Sequence, residues 1–452
     1  MSLGHNNTLI ISVVLAALFA AIYAPALGHG FVTDDFRWIE AADVHSPDDM
    51  RRIFATNVGF YRPLVTTSFA VDRALWQLDP RGYALTNVVL LCADAGLIVL
   101  LARRLSLPVP AALFAAGVWA FNFHGINMAL LWTSGRTALL MLVFALAATL
   151  ALFRGNRVAA GLLALCAMLC KEEAVVLPPL LAIVDLWRHG AGGRRIEVLR
   201  SWPLWLAAAG YGLLRHSSGA FGIADAPAYY HVTFDPRSVL RNAAEYLDRG
   251  ATAAIVSIVV VSIAVPHAGA FTNQERWVIR FGVLWFAAMY AVTVFLPVRS
   301  SLYAVAPSIG SALVAGAFAA RARRIASRRF AAASAALLLI VAVLVPVYRS
   351  RNHGLVEPAD LSTQALEALR QSRLATPDVR EIVLLDDERA PVTLDAAFGA
   401  LLPQAVHLFL GSDVRATLRN AVPTDGTLKS EALVFHLSDG RLIRESPDRP
   451  RP

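Results

Sequence analysis

Apolar blocks about as long as a bilayer is thick dominate this chain. A helix needs roughly 20 apolar residues to cross a lipid core. Its backbone must satisfy its own hydrogen bonds there, so nothing but a helix or a closed barrel can span. Blocks of this kind fall at 9–27, 84–102, 109–123, 137–153, 158–170, 174–187, 202–214, 251–266, 278–297, 304–320 and 330–347. Several are short, and 158–170 with 174–187 reads equally as one broken hairpin. Composition agrees: the 452 residues are 57% hydrophobic and 16% charged, where soluble domains are about 45–50% apolar and about 25% charged. The expected fold is an all-α polytopic membrane protein of about eleven transmembrane helices. The first block has no Lys or Arg before it and exceeds a signal-peptide core, so it reads as a retained helix.

Charge sets the orientation. A net charge of +8 and a pI near 9.7 would suggest nucleic acid in a soluble protein. Here the arginines lie between apolar blocks, where they fix topology. Membrane lipids are the expected partners, and nucleic acid is not. Arg103 and Arg104, Arg154 and Arg157, then Arg188, Arg194, Arg195 and Arg200 mark alternate connections. Arg276 and Arg280 continue the series, followed by Arg321, Arg323, Arg324, Arg328 and Arg329. These loops read as cytoplasmic, with the N-terminus inside and the C-terminus outside. Cys92, Cys166 and Cys170 all lie in apolar segments and read as small buried side chains.

Two domains follow from this layout. Residues 1–348 form a transmembrane domain whose first outer loop is 28–83. Residues 349–452 form a small α+β domain outside the membrane. "SPDDMRRIF" starts a helix, with Ser46 as N-cap, Pro47 at the first position and Asp48 and Asp49 in the positive first turn. A second loop helix starts near "YRPLVTTSF" and stops at "LDPRG". In the tail, "EIVLLDD" reads as a strand, "LSTQALEALRQSRL" as an amphipathic helix and "ALVFHLSDGRLIRE" as a hairpin.

The unusual chemistry collects on the outer face. Asp34 and Asp35 follow the first span. They read either as a solvated pair capping the next helix or as a general base or metal ligand. In a turn they point different ways, so one can meet an acceptor while the other holds a cation. An alcohol is a poor nucleophile until something accepts its proton. Arg62, Arg136, Lys171, Arg215 and Arg299 sit at outer ends of spans, where the charge rule disfavours them. Singly, each reads as a snorkelling or ion-paired side chain. Together, facing an acidic loop, they suggest an anion site, and the donor fork of Arg suits a phosphate. Tyr61, His124, Trp132, Glu172, Tyr230, His231 and Tyr303 share that face as weaker candidates. There is no Walker, HExxH or GxSxG motif and no Cys/His metal spacing. Two carboxylates suit a divalent ion, but no further ligand spacing supports one. No cofactor is called for, and metal dependence stays open.

Several segments line up in order: "FVTDDFRWI", "YRPLVTTSFAVDRALWQLDPRGYALTNVVLL", "LLWTSGRTALL", "CKEEAVVLPPLLAIVDL" and "LPVRSSLYAVAPSIG". The series resembles the GT-C class of integral-membrane glycosyltransferases, in the branch of the TMTC-type and bacterial O-mannosyltransferase-like proteins. It covers about residues 1–320 and is poor in the tail. The resemblance implies a polyprenyl-phosphate sugar donor, catalysis on the non-cytoplasmic face and an acidic base in the first outer loop. On this chain that base is Asp34, with Asp35 beside it. Tyr61-Arg62, Gly135-Arg136 and Lys171-Glu172 fall at matching positions. "FHGINMALLWTSGR" lacks the Pro and Glu that often precede this Trp and Gly-Arg, and the tail has no tetratricopeptide repeats.

The function expected is inverting sugar transfer from a polyprenyl-phosphate donor to an acceptor hydroxyl, with Arg62, Arg136, Lys171 and Arg299 as candidate ligands of the donor phosphate. The Ala/Arg-rich composition suggests a GC-rich bacterial genome, hence an inner-membrane protein with a periplasmic site. One alternative is a lipid or glycan flippase, which would carry polar residues through the midplane; here ionisable residues within spans are few, Asp94 among them. Another is a non-catalytic lipid-binding subunit. Topology gives the first prediction. A reporter fused to the C-terminus should be active only outside the cytoplasm, and a fusion active only in the cytoplasm would overturn the orientation.

Overall fold

The computed structural model describes residues 2–57, 59–189, 200–220, 230–267, 269–377, 379–420, 433–438 and 440–444. Arg194 and Arg195 lie outside them. Among the described residues five helices are long and apolar enough to cross a membrane: Pro80–Arg104, Thr133–Phe153, Pro236–Ala264, Ser301–Ile325 and Ser327–Ala375. Shorter apolar helices include Ser12–Ala26, Val109–Ala120 and Arg157–Cys170. Twelve residues, as in Val109–Ala120, rise only about 18 Å, less than the ~30 Å lipid core. The short blocks of the sequence therefore give short helices. The broken hairpin is present: Arg157–Cys170 ends at Lys171, a 3-10 turn covers Glu172–Val176, and Leu177–His189 returns.

The first loop holds three helices. Pro47–Ala55 has the expected Ser46 cap, with Asp49 reaching back to complete a capping box. Pro63–Trp76 starts on the expected proline. Asp34–Ala41 is a helix where the sequence suggested a turn, and the two acids occupy its first two positions.

The last apolar helix does not stop at the membrane. It runs unbroken from Ser327 to Ala375, through Pro346 and Pro358. At 1.5 Å per residue it is about 73 Å long, more than twice the lipid core. The amphipathic helix expected in the tail lies in its C-terminal half. Beyond it lies a four-stranded sheet in the order β2-β1-β3-β4. The strands are β1 (Glu381–Leu385), β2 (Arg415–Arg419), β3 (Leu433–Ser438) and β4 (Arg441–Arg444). β1 is parallel to β2 and β3, while β3 and β4 form the expected hairpin, whose turn residue Asp439 is outside the described residues.

Inside the bundle, where Pro63–Trp76, Pro80–Arg104 and Thr133–Phe153 meet, sits Arg136. It is fully buried. Its Nη2 lies 2.6 Å from Asp72 Oδ2 and donates to the Tyr83 carbonyl at 3.1 Å, and its Nε donates to Asn87 Oδ1 at 3.2 Å. The guanidinium also covers the Phe69 ring at 4.1 Å. Asn87 in turn donates to the carbonyls of Trp132 and Thr133. Arg136, expected among the outer phosphate ligands, is thus buried in the bundle with its charge answered by Asp72. Arg136→Met should strand Asp72 in the core and cost about 3–5 kcal/mol. Asp72→Leu added to it should restore much of that. Unfolding in detergent reads both, and an Arg136→Met protein as stable as wild type would contradict the pairing.

Candidate active site

Asp34 and Asp35 part company at the first turn of their helix. Asp35 is fully buried. Its Oδ2 accepts from the Val32 N–H at 3.0 Å. Its Oδ1 accepts from the Ser134 N–H at 2.7 Å and from the Ser134 hydroxyl. Burial pushes its pKa up to about 6, against the lowering effect of the Ser134 and Val32 hydrogen bonds. Asp35 therefore ties the first-loop helix to the turn Thr133–Gly135. That turn requires its glycine: a Cβ at Gly135 would stand 2.6 Å from the Met128 carbonyl oxygen and 2.7 Å from that of Ala129. Asp34 is half-buried, and its carboxylate has no hydrogen bond or ion pair among the described residues.

The same helix is held from the other side by residues 397–409. Thr33, just before it, has φ +45°, a left-handed setting that disfavours a β-branched residue. Its N–H donates to the Ala397 carbonyl at 3.0 Å. Phe36 stacks on Phe398 at 5.8 Å and meets Phe409 edge-on at 6.5 Å. His407 Nδ1 lies 2.7 Å from Glu40 Oε1.

A second cluster surrounds the break at Lys171. Arg62 donates to both oxygens of Glu172, at 2.8 and 2.5 Å. Burial would raise the Glu172 pKa, but the charge and hydrogen bonds of Arg62 outweigh it and hold the group at about 2. Lys171 Nζ lies 2.6 Å from Glu173 and 5.0 Å from the centre of the Tyr303 ring. Burial raises the Glu173 pKa, with Lys171 opposing. Arg215 donates to the Tyr211 hydroxyl at 3.0 Å. Arg299 pairs with Glu245 at 2.8 Å, an acid that Arg249 shares at 3.4 Å. Tyr61 donates to the Phe54 carbonyl at 3.0 Å, and His231 is exposed. Aromatic rings join this cluster to the Asp34 helix: Arg62 covers Phe60 at 4.3 Å, and Phe60 stacks on Trp38 at 6.3 Å.

The structure thus brings Arg62, Glu172, Lys171 and Tyr303 together, and leaves Arg299 on a separate acid. It also presents a residue the sequence reading passed over. Arg37 lies three residues after Asp34, hence on the same helical face, and is half-buried. The signal was in "DDFRWI", had that segment been read as a helix. Among the described residues no group of three His, Cys, Asp or Glu is placed to hold a metal ion.

Asp35→Asn should loosen the helix. An amide puts one NH2 against a backbone N–H that now meets a carboxylate oxygen, whichever way it turns. A loss of about 1–3 kcal/mol is expected, read by thermal unfolding. Unchanged stability would contradict the clamp.

No family model matches the sequence. The protein O-mannosyl-transferase Tmtc1 of Drosophila melanogaster is 32% identical over 191 residues, 38% of this chain and 22% of the relative. Tmtc2 of the same organism is 31% identical over 219 residues, 42% of this chain and 23% of the relative. The matched stretch therefore spans less than a quarter of either relative. Among solved structures, ArnT from Cupriavidus metallidurans bound to undecaprenyl phosphate superposes with a TM-score of 0.54 at 14% identity. The match covers 92% of this chain and 86% of ArnT. The apo form of ArnT gives 0.53. The chain has the ArnT fold, and its sequence is similar to TMTC O-mannosyl-transferases. The resemblance to the GT-C class holds in both sequence and fold.

Proposed function

We propose that this chain, GT-C-like in fold and similar in sequence to glycosyltransferases, moves a sugar from a polyprenyl-phosphate donor to an acceptor hydroxyl, with inversion. The observation that carries the reading is the division of labour between the two acids. Asp35 uses both oxygens to fix the helix. Asp34 keeps its carboxylate unpaired beside it. A base must be positioned and still free to accept a proton, and Asp34 meets both conditions.

In the transfer, the acceptor oxygen forms a bond to the anomeric carbon from the side opposite the phosphate. Its proton passes to Asp34. The bond from that carbon to the phosphate oxygen breaks, and the electron pair leaves with the polyprenyl phosphate, which gains one negative charge. Cations near the phosphate stabilise that charge. Arg62 and Lys171 are the candidates best placed in one cluster, with Glu172 and Glu173 setting their positions. Arg299 is a more distant candidate and Arg136 a scaffold one. That ArnT has been seen with undecaprenyl phosphate supports a lipid-phosphate donor. The site belongs to the periplasmic side of a bacterial inner membrane on this reading, as the arginine loops suggest.

Asp34→Asn keeps size and shape but cannot accept the proton as a carboxylate does. Turnover should fall by about 10²–10⁴, with donor binding largely kept. The assay is transfer from a synthetic polyprenyl-phosphate sugar in reconstituted membranes. A loss below roughly tenfold in folded protein would remove Asp34 from the role of base.

A further inference from the structure

The end of the bundle away from Asp34 is built around arginines. Tyr83 and Asn87 meet Arg136 near the starts of Pro80–Arg104 and Thr133–Phe153. At the other ends of these helices, Arg104 donates to the Phe153 carbonyl at 2.6 Å. Arg188, on Leu177–His189, donates to the carbonyls of Leu152 at 3.0 Å and Phe153 at 3.3 Å. These bonds cap the last turn of a helix, yet they use only some of the donors in each guanidinium. Neither arginine has a carboxylate partner among the described residues, since the neighbouring Asp185 is bonded to Arg157 at 2.7 Å. Arg104 and Arg157 act on Arg188 as like charges.

A cleft of about 330 Å³ opens against Arg104 and Arg188, with Phe153 and Trp277 in its wall. A second cleft, of about 200 Å³, adjoins Arg323 and Arg324. Leu105, Ser106 and Gln274 line both, so the two are neighbours across one ridge. Gln274 belongs to the first turn of the helix Asn273–Tyr290, which adds the partial positive charge of a helix start. Glu275 is the one acid lining either cleft. It is already engaged, by its capping box with Thr272 and by Arg324 at 3.2 Å. Arg323 makes no hydrogen bond or ion pair among the described residues and is exposed. Topology alone asks for arginines somewhere on this side. It does not ask for a pair of them at each of two adjoining clefts.

We propose that the joined clefts seat the headgroup of an anionic phospholipid with two phosphates, a diphosphatidylglycerol, with one phosphate in each cleft. Two pairs of planar donor forks match two phosphates. Basic pockets between helix ends on the side marked by the arginine loops suit such headgroups. The neighbouring aromatic residues favour a lipid over a free anion. Trp277 meets Trp187 edge-on at 5.8 Å, and Trp187 is exposed on the bundle surface. Tryptophans so placed are typical of the boundary between headgroups and acyl chains. The site is separate from the one that holds Asp34 and does not depend on the donor reading.

The test uses the full chain in phosphatidylcholine nanodiscs, titrated with diphosphatidylglycerol or phosphatidylglycerol at equal phosphate. Native mass spectrometry counts the retained lipid, and thermal unfolding is the fold control. Wild type should retain diphosphatidylglycerol in preference to phosphatidylglycerol. The Arg104→Gln, Arg188→Gln double variant and the Arg323→Gln variant should each bind it more weakly, by about fivefold per arginine removed. Arg276→Gln with Arg280→Gln removes the same charge from the same side outside the clefts, and should leave binding unmoved. Excess inorganic phosphate should not displace the lipid. Equal retention of the two lipids, equal loss in the Arg276 and Arg280 control, or displacement by inorganic phosphate overturns the proposal. If the Arg104 and Arg188 variant does not fold, Arg323→Gln decides: weaker binding supports the site and unchanged binding overturns it.

Discussion

The contact between Asp35 and Ser134 joins segments 99 residues apart, and the rest of the site is arranged around it. A buried carboxylate is tolerated only where its oxygens are answered. Both are, by two backbone N–H groups and a hydroxyl. The turn that supplies Ser134 is itself fixed, since Asn87 holds its carbonyls and Arg136 holds Asn87. Asp72 closes the chain by neutralising Arg136. One connected network therefore runs from the interior of the bundle to the first turn of the loop helix. On the far side residues 397–409 grip the same helix through Thr33, Phe36 and Glu40. A side chain at the start of a helix so held has little freedom to move, which is what a group acting on a substrate needs.

The pattern of charge pairing separates structural from available groups. Charges near a membrane are costly and usually paired. Here most of the cations that the sequence suggested for the outer face have their own acid: Arg62 with Glu172, Lys171 with Glu173, Arg299 with Glu245. Such pairs set shape while adding little net field. Asp34 and Arg37 are the exceptions on the loop helix.

Much of this was legible in the sequence, for specific reasons. The capping box at Ser46 and the proline before Leu64 announce their helices locally. The short apolar runs, the break at Lys171 and the strand at Glu381 were equally readable. The helix at Asp34 was not, because "DDFRWIEA" is short and its cap, Thr33, makes no side-chain cap bond. Missing it hid the shared face of Asp34 and Arg37. Arg136 reads from sequence as one more outer arginine, since its acid, Asp72, lies 64 positions away on another helix. Partners so distant in sequence leave no local signal. The continuity of Ser327–Ala375 was masked by Pro346 and Pro358, which usually mark helix ends. The docking of Phe398 and Phe409 on Phe36 depends on tertiary packing alone.

A single displacement at the anomeric carbon, with one acid as base and the phosphate leaving opposite, fixes the stereochemistry of the product. The most direct measurement is the anomeric configuration of the sugar before and after transfer, read by NMR on the product made from a polyprenyl-phosphate sugar of defined anomer. Complete inversion is the predicted result. A product of retained configuration would require a second displacement through another nucleophile, and would contradict the role given to Asp34.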